Sequence, residues 1–131
     1  MIYFEVFLKR YNWIIECFIT KDNTHTLDII YRLDKLNCND FILEKAQNIL
    51  YNQQDSGFAY SNTKFHHSIM VINMSTSMDE FVNTYNHEKN HIEMHICEEF
   101  NIDPYSEEAA DLSGYLAQAF YFAMLNSYHE K

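Results

Sequence analysis

Two hydrophobic periods alternate along this chain. Residues 2–9 (Ile-Tyr-Phe-Glu-Val-Phe-Leu-Lys) and 13–20 (Trp-Ile-Ile-Glu-Cys-Phe-Ile-Thr) are rich in β-branched and aromatic side chains, and Arg10-Tyr11-Asn12 separates them. This pattern predicts a β-hairpin. Leu27, Ile30, Tyr31 and Leu33 then recur at helical spacing up to about Asn37. A second short helix is predicted from Asp40 to Asn52, carrying Phe41, Leu43, Ile49 and Leu50. Asp55-Ser56-Gly57 interrupts the pattern, and Phe58–Tyr60 and Phe65–Met74 read as two further strands turning near Asn62-Thr63.

Ser77-Met78-Asp79-Glu80 has the form of a capping box, with Ser77 as N-cap and Glu80 at the third helical position. The helix it opens should reach Phe100. Asn101-Ile102-Asp103-Pro104 is a turn, and Pro104 or Ser106 starts a last helix that runs to about Asn126. The order ββ-αα-ββ-αα predicts one α+β domain over 1–131, a small antiparallel sheet packed against helices.

The composition is that of a globular protein, with 47% apolar residues, ten Tyr, ten Phe, two Gly and one Pro in 131 residues. The formal charge of −10 is uneven. Residues 1–78 hold eight acids against seven bases, whereas residues 79–131 hold eleven acids against Lys89 and Lys131. Such a surface repels phosphate backbones, so nucleic acid is not an expected partner. Cys17, Cys38 and Cys97 are widely spaced and form no C-x-x-C pair, which suggests neither a disulfide framework nor a thiolate metal site. No apolar run approaches the roughly 18 residues a membrane span needs. The N-terminus lacks the basic and apolar regions of a signal peptide, so a cytoplasmic setting is expected.

Within the helix after Ser77 stands His87-Glu88-Lys89-Asn90-His91, an HExxH pattern. Residues four apart share a helix face, so two imidazoles can point at one Zn²⁺, and the Glu beside the first can take a proton from metal-bound water. At about 100° per residue, Phe81, Tyr85, Ile92, Ile96 and Phe100 share one arc, the expected core face. His87 and His91 fall nearly opposite it, which disfavours a core-packing role. Hydrolytic zinc sites use three protein ligands. The last helix opens Ser106-Glu107-Glu108-Ala109-Ala110-Asp111, in which Glu107 and Asp111 share a face. Glu107 is the expected third ligand, and Asp111 a reserve ligand or a partner for the spare N–H of a ligating His. Glu108 fits better as an acid complementing the helix dipole.

His87-Glu88-x-x-His91 followed by Glu107-x-x-Ala110-Asp111 resembles the gluzincin arrangement of thermolysin-like peptidases, with fifteen residues between His91 and Glu107, fewer than is usual there. A closer likeness is to small HExxH proteins, predicted peptidases, of gut bacteria and their phages. These share a run like His91-x-x-x-x-Ile96-Cys97-Glu98 and then Ser106-Glu107-Glu108-Ala109-Ala110-x-Leu112-x-Gly114-Tyr115-Leu116. The position of Asp111 is usually Tyr among them, a departure that weakens its role here. The resemblance covers residues 65–120. It implies a minimal zincin-like domain, in which residues 1–64 supply the first hairpin and helices and 65–128 an edge strand, the metal helix and the third-ligand helix. It also implies Zn²⁺ and a peptidase-like site.

Other chemistry-bearing residues rank lower. His95 is one turn beyond His91 but about 12 Å along the axis from His87, so it is a site neighbour or rim residue. Tyr115 is the first candidate to steady an oxyanion, with Tyr85 and Tyr121 behind it. His66 and His67 start a strand on opposite faces and read as surface residues. A glycine at 114 would allow the last two helices to approach closely, and the strand at 65–74 would offer an edge to an extended peptide. The expectation is therefore a zinc-dependent hydrolase, a metallopeptidase acting on a protein or peptide or on a host protein target, with Glu88 as general base. The competing expectation is a non-enzymatic phage-type binding or inhibitor module that keeps a structural or vestigial zinc site. Monomer and homodimer both stay open.

Overall fold

The computed structural model describes residues 1–52 and 54–129. Strands β1 (Ile2–Leu8) and β2 (Trp13–Ile19) pair antiparallel from Leu8↔Trp13 to Ile2↔Ile19. A 3-10 turn, Lys9–Tyr11, joins them, and Asn12 follows it in the left-handed conformation (φ 49°), which Asn tolerates better than most residues. Helices α1 (Thr26–Lys35) and α2 (Asp40–Asn52) come next, then β3 (Gly57–Asn62) and β4 (His67–Ile72), which pair antiparallel. Helices α3 (Met78–Glu99) and α4 (Glu107–His129) complete the described chain. The Ser77 side chain accepts from the Glu80 N–H at 3.2 Å and caps α3 as its pattern predicts. Ser106 caps α4 by accepting from the Ala109 N–H.

The protein is α+β, but its sheet is mixed rather than antiparallel as expected. The strand order is β1-β2-β4-β3, and β2 runs parallel to β4, from Ile14↔His67 to Ile19↔Ile72. The cause is the helical crossover through α1 and α2, which carries the second hairpin over the sheet and returns β4 in the direction of β2. Parallel inner strands are covered on both faces. Accordingly β2 and β4 are buried almost throughout, whereas β1 alternates buried and exposed positions. A second expectation fails with the same topology. The strand within 65–74, His67–Ile72, is an inner one paired on both sides, and the sheet's edges are β1 and β3.

The sheet separates two apolar clusters. Trp13, Ile15, Cys17, Met70 and Ile72 meet Ile92 and Ile96 of α3 and Leu112, Leu116 and Phe120 of α4 on one face. On the other, Phe18, Ile69 and Val71 meet Ile29 and Leu33 of α1 and Ala46 and Leu50 of α2. At about 25 cal/mol per Å² of apolar surface, burying each such side chain contributes roughly 1.5–3 kcal/mol, an upper figure because the unfolded chain is itself partly collapsed. This packing fixes α3 against β3 and leaves one flank of the helix facing the sheet edge.

Candidate metal centre

Helix α3 presents three different faces. Ile92 and Ile96 point into the core, as the periodicity predicts. Lys89, Glu93 and Cys97, displaced around the axis, meet α4. Lys89 Nζ donates to Glu93 and, at 3.2 Å, to Ser113 Oγ. Near the helix end, Glu93 and Cys97 line a groove with Ser106, Ala109 and Ser113. The third face carries His87, Glu88 and His91.

These three converge. The Nε2 atoms of His87 and His91 are 3.2 Å apart, and Glu88 Oε1 lies 3.8 Å from His87 Nε2. One ligand atom from each of the three falls within 4.8 Å of the others. The histidines are exposed, His87 with 68% of its side chain accessible, while the Glu88 side chain is only 5% accessible. Gly57 at the start of β3 explains how a strand comes so close to Glu88. A Cβ there would stand 2.4 Å from the Val71 carbonyl oxygen, 3.0 Å from Thr84 Cγ2 and 3.1 Å from Glu88 Cγ. Burial pushes the Glu88 carboxyl above the ordinary range, with the charges of His87 and Lys45 pulling the other way. Its Oε2 is buried and has no hydrogen-bond partner.

The donor set could hold a metal ion, and its geometry can be compared with what zinc requires. Two nitrogens bound to one tetrahedral Zn²⁺ at 2.0–2.1 Å stand about 3.3 Å apart, close to the separation of the pair. The unpartnered oxygen of Glu88 offers an acceptor beside them for a water carried by such an ion.

Around the pair lies a groove of about 330 Å³. Its walls are Phe41, Ile42, Lys45 and Ile49 of α2, Gly57, Phe58 and Ala59 of β3, and His87, Glu88 and His91 of α3. Lys45 carried no signal in the sequence, because it sits on a separate helix and no local motif contains it.

Other expected residues lie elsewhere. Glu107 is exposed at the first turn of α4 and is not in the converging group. Asp111 and Tyr115 line a different cavity, against Leu8, Arg10 and Tyr11. Glu108 stands in the first turn of α4, where an acid complements the helix dipole, and it also accepts from Arg10 at 2.9 Å and Tyr11 at 3.3 Å. The physical reason is the face α4 occupies. It packs on the Lys89–Glu93–Cys97 side of α3, and its other flank rests on β1, so its acidic start does not turn toward the histidines. Gly114 does not mediate a close helix approach, since a Cβ there would meet nothing within 4 Å.

His95 neighbours the pair, its ring 6.5 Å from that of His91. Its Nδ1 is 2.7 Å from Ser61 Oγ, which is 2.6 Å from Ser68 Oγ, itself accepting from Trp13 Nε1 at 2.8 Å. Burial and the adjacent His91 hold His95 below the ordinary histidine range. Its contact with Ser61 ties β3 to α3. His66 precedes β4 with φ 51° and stacks on Trp13, and His67 bonds Glu16 Oε2 at 2.8 Å, so both are half-buried structural residues rather than surface ones. The Tyr85 hydroxyl donates to the Ala117 carbonyl, and Tyr121 is exposed on α4.

Against protein-family models, curated proteins and solved structures, the chain finds no match. Among the described residues, no helix is long and apolar enough to cross a membrane.

Proposed function

We propose that this chain is a zinc-dependent hydrolase, a metallopeptidase of zincin-like arrangement in which His87 and His91 bind the metal and Glu88 is the general base. The 3.2 Å approach of the two Nε2 atoms carries this reading. The buried carboxylate beside them and the groove along β3 support it. Zinc bound there would lower the pKa of coordinated water and polarise a carbonyl. Glu88 would accept a proton at its unpartnered oxygen and hand it to the leaving amine, a role that suits a carboxyl whose proton affinity burial has raised. Glu107, the third ligand expected from the sequence, stands on the exposed first turn of α4 outside the group, and its role is tested by substitution below.

Zinc titration of the metal-free protein, with elemental analysis, is the first test. One zinc per chain, lost in His91→Ala, is the expected result. Glu88→Gln should keep the zinc and lower cleavage of a peptide mixture by about 10²–10⁴-fold. Equal cleavage by Glu88→Gln would remove the catalytic reading.

The placement of α4 favours a second reading. Glu107 and Asp111 lie outside the group, and this supports the reading of a non-enzymatic binding or inhibitor module that keeps a structural or vestigial metal site. Glu107→Ala separates the two readings: a tenfold or larger fall in zinc affinity assigns the third ligand, and no change favours the module.

A further inference from the structure

We propose that the α2 wall of the groove, formed by Phe41, Lys45 and Ile49, is a specificity subsite for a peptide carboxylate next to an apolar side chain. The proposal deepens the peptidase reading by naming the substrate class, and it rests on that reading for the direction in which the peptide lies. Residues 41, 45 and 49 are spaced i, i+4, i+8, which places them along one helix face. All three line the groove that holds His87, Glu88 and His91. Phe41 is 77% exposed, a large aromatic surface on the groove wall, while Ile49, two turns further along α2, is buried.

Lys45 is the one permanent cation among the residues that line this groove. Among the described residues it forms no salt bridge, in contrast to Lys89, which is buried and paired with Glu93. Its charge reaches the site, since it acts on Glu88 from across the groove. The setting makes that charge informative. A chain of net charge −10 attracts basic peptides by its overall field, and Lys45 offsets that field at this groove, where Glu88 is the one carboxylate in the lining.

A peptide pairing with the free edge of β3 would present alternate side chains to the two faces of the sheet. Those directed to the α2 side meet Phe41 and then Lys45. The carboxylate can be the peptide's own C-terminus or an Asp or Glu side chain.

The test uses the full chain and four peptides: Ac-Ala-Ala-Phe-Ala-NH2, its free C-terminal acid, and the amides with Glu or Lys as the last residue. Affinities are measured by calorimetry on metal-free protein, so that a carboxylate binding directly to zinc does not enter. At least one carboxylate peptide should bind about threefold to fivefold tighter than the neutral amide, the range of an exposed ion pair, and the Lys peptide should bind weakest. Whether the free acid or the Glu amide shows the gain identifies the source of the carboxylate. Lys45→Ala should erase the preference, Lys45→Arg should keep it, and Phe41→Ala should weaken all four peptides alike. No binding of any peptide, equal affinity for acid and neutral peptides, or a preference that survives Lys45→Ala would each overturn the proposal. Its failure is distinguishable from failure of the peptidase reading. Zinc stoichiometry and the Glu88→Gln result decide that reading, and the peptide affinities of metal-free protein decide this one.

Discussion

Glu88, buried, and Glu93, partly buried, are acids on the same helix, five residues and therefore about 140° apart, in opposite surroundings. Glu93 faces α4, where Lys89 and Ser113 complete a small hydrogen-bonded network. Glu88 faces the start of β3, with no Lys or Arg in ion-pair contact among the described residues and with one oxygen unpartnered. A buried polar group is ordinarily satisfied, because leaving it unpaired costs about 1–3 kcal/mol. The satisfied flank of α3 thus reads as architecture. The unsatisfied flank reads as a site, where the missing partner is expected to be a ligand.

The largest expected effect is on the satisfied flank. Lys89→Ala strands the Glu93 carboxylate in a nearly closed interface, and removing one partner of a buried pair costs about 3–4 kcal/mol. Urea unfolding of the metal-free protein should show this loss, with zinc affinity per folded molecule unchanged. A loss below about 1 kcal/mol would mean that Glu93 finds water or another donor, and the contrast between the flanks would weaken.

Gly57→Ala attacks the other flank through its backbone. The added methyl group meets a carbonyl oxygen at 2.4 Å and presses on Glu88 and Thr84, so β3 has to shift. A cost of about 2–3 kcal/mol is expected. Zinc affinity should fall with it, because the same contact seats Glu88 beside the histidines. Stability loss with zinc binding intact would uncouple the strand from the site.

Much of this architecture is legible in the chain, for reasons that differ by element. Ser77, the 3.6-residue period of α3 and the i, i+4 spacing of His87 and His91 are local signals, and the local structure follows them. The parallel pairing of β2 with β4 is set by where a crossover lands. Only the near-continuous apolar runs Trp13–Ile19, interrupted by Glu16, and Ile69–Ile72 hint that both strands are inner ones. The partner of each α3 face is also non-local. An apolar arc locates the core but does not say which side α4 will take, and that choice decides whether Glu107 reaches the histidines. Lys45 and Gly57 belong to the site through tertiary contact alone.

Glu16 extends the comparison to the sheet. It is a third buried acid, and like Glu93 it is satisfied, accepting from Tyr3, Arg32 and His67. Burial pushes its carboxyl up, but the hydrogen bonds from His67 and Tyr3, the charge of His67 and the bond from Arg32 outweigh this and hold it below the ordinary range. A depressed carboxylate pKa contributes stability that is present above the unfolded pKa and lost as pH falls through the folded value. Acidification below the ordinary glutamate range should therefore weaken the wild type. Glu16→Gln should cost about 2 kcal/mol at neutral pH and flatten that acid slope. An unchanged slope would place the acid sensitivity elsewhere.

The smallest effect has the opposite sign, and it tests the comparison most directly. Burial raises the pKa of Glu88, so its stabilising contribution is present below the unfolded pKa and lost as pH rises through the folded value. Above that value the metal-free protein carries a buried charge with one oxygen unpartnered. Glu88→Gln keeps the shape and removes that charge, so metal-free protein should gain about 1 kcal/mol, a Tm rise of roughly 3–5 °C. The gain should shrink on acidification, as the wild-type carboxyl takes up its proton. In the same measurement Glu93→Gln should lose stability, because its carboxylate is already paired with Lys89. A Tm that falls in both variants would show Glu88 to be as well satisfied as Glu93, and the reason for reading that flank of α3 as a site would go with it.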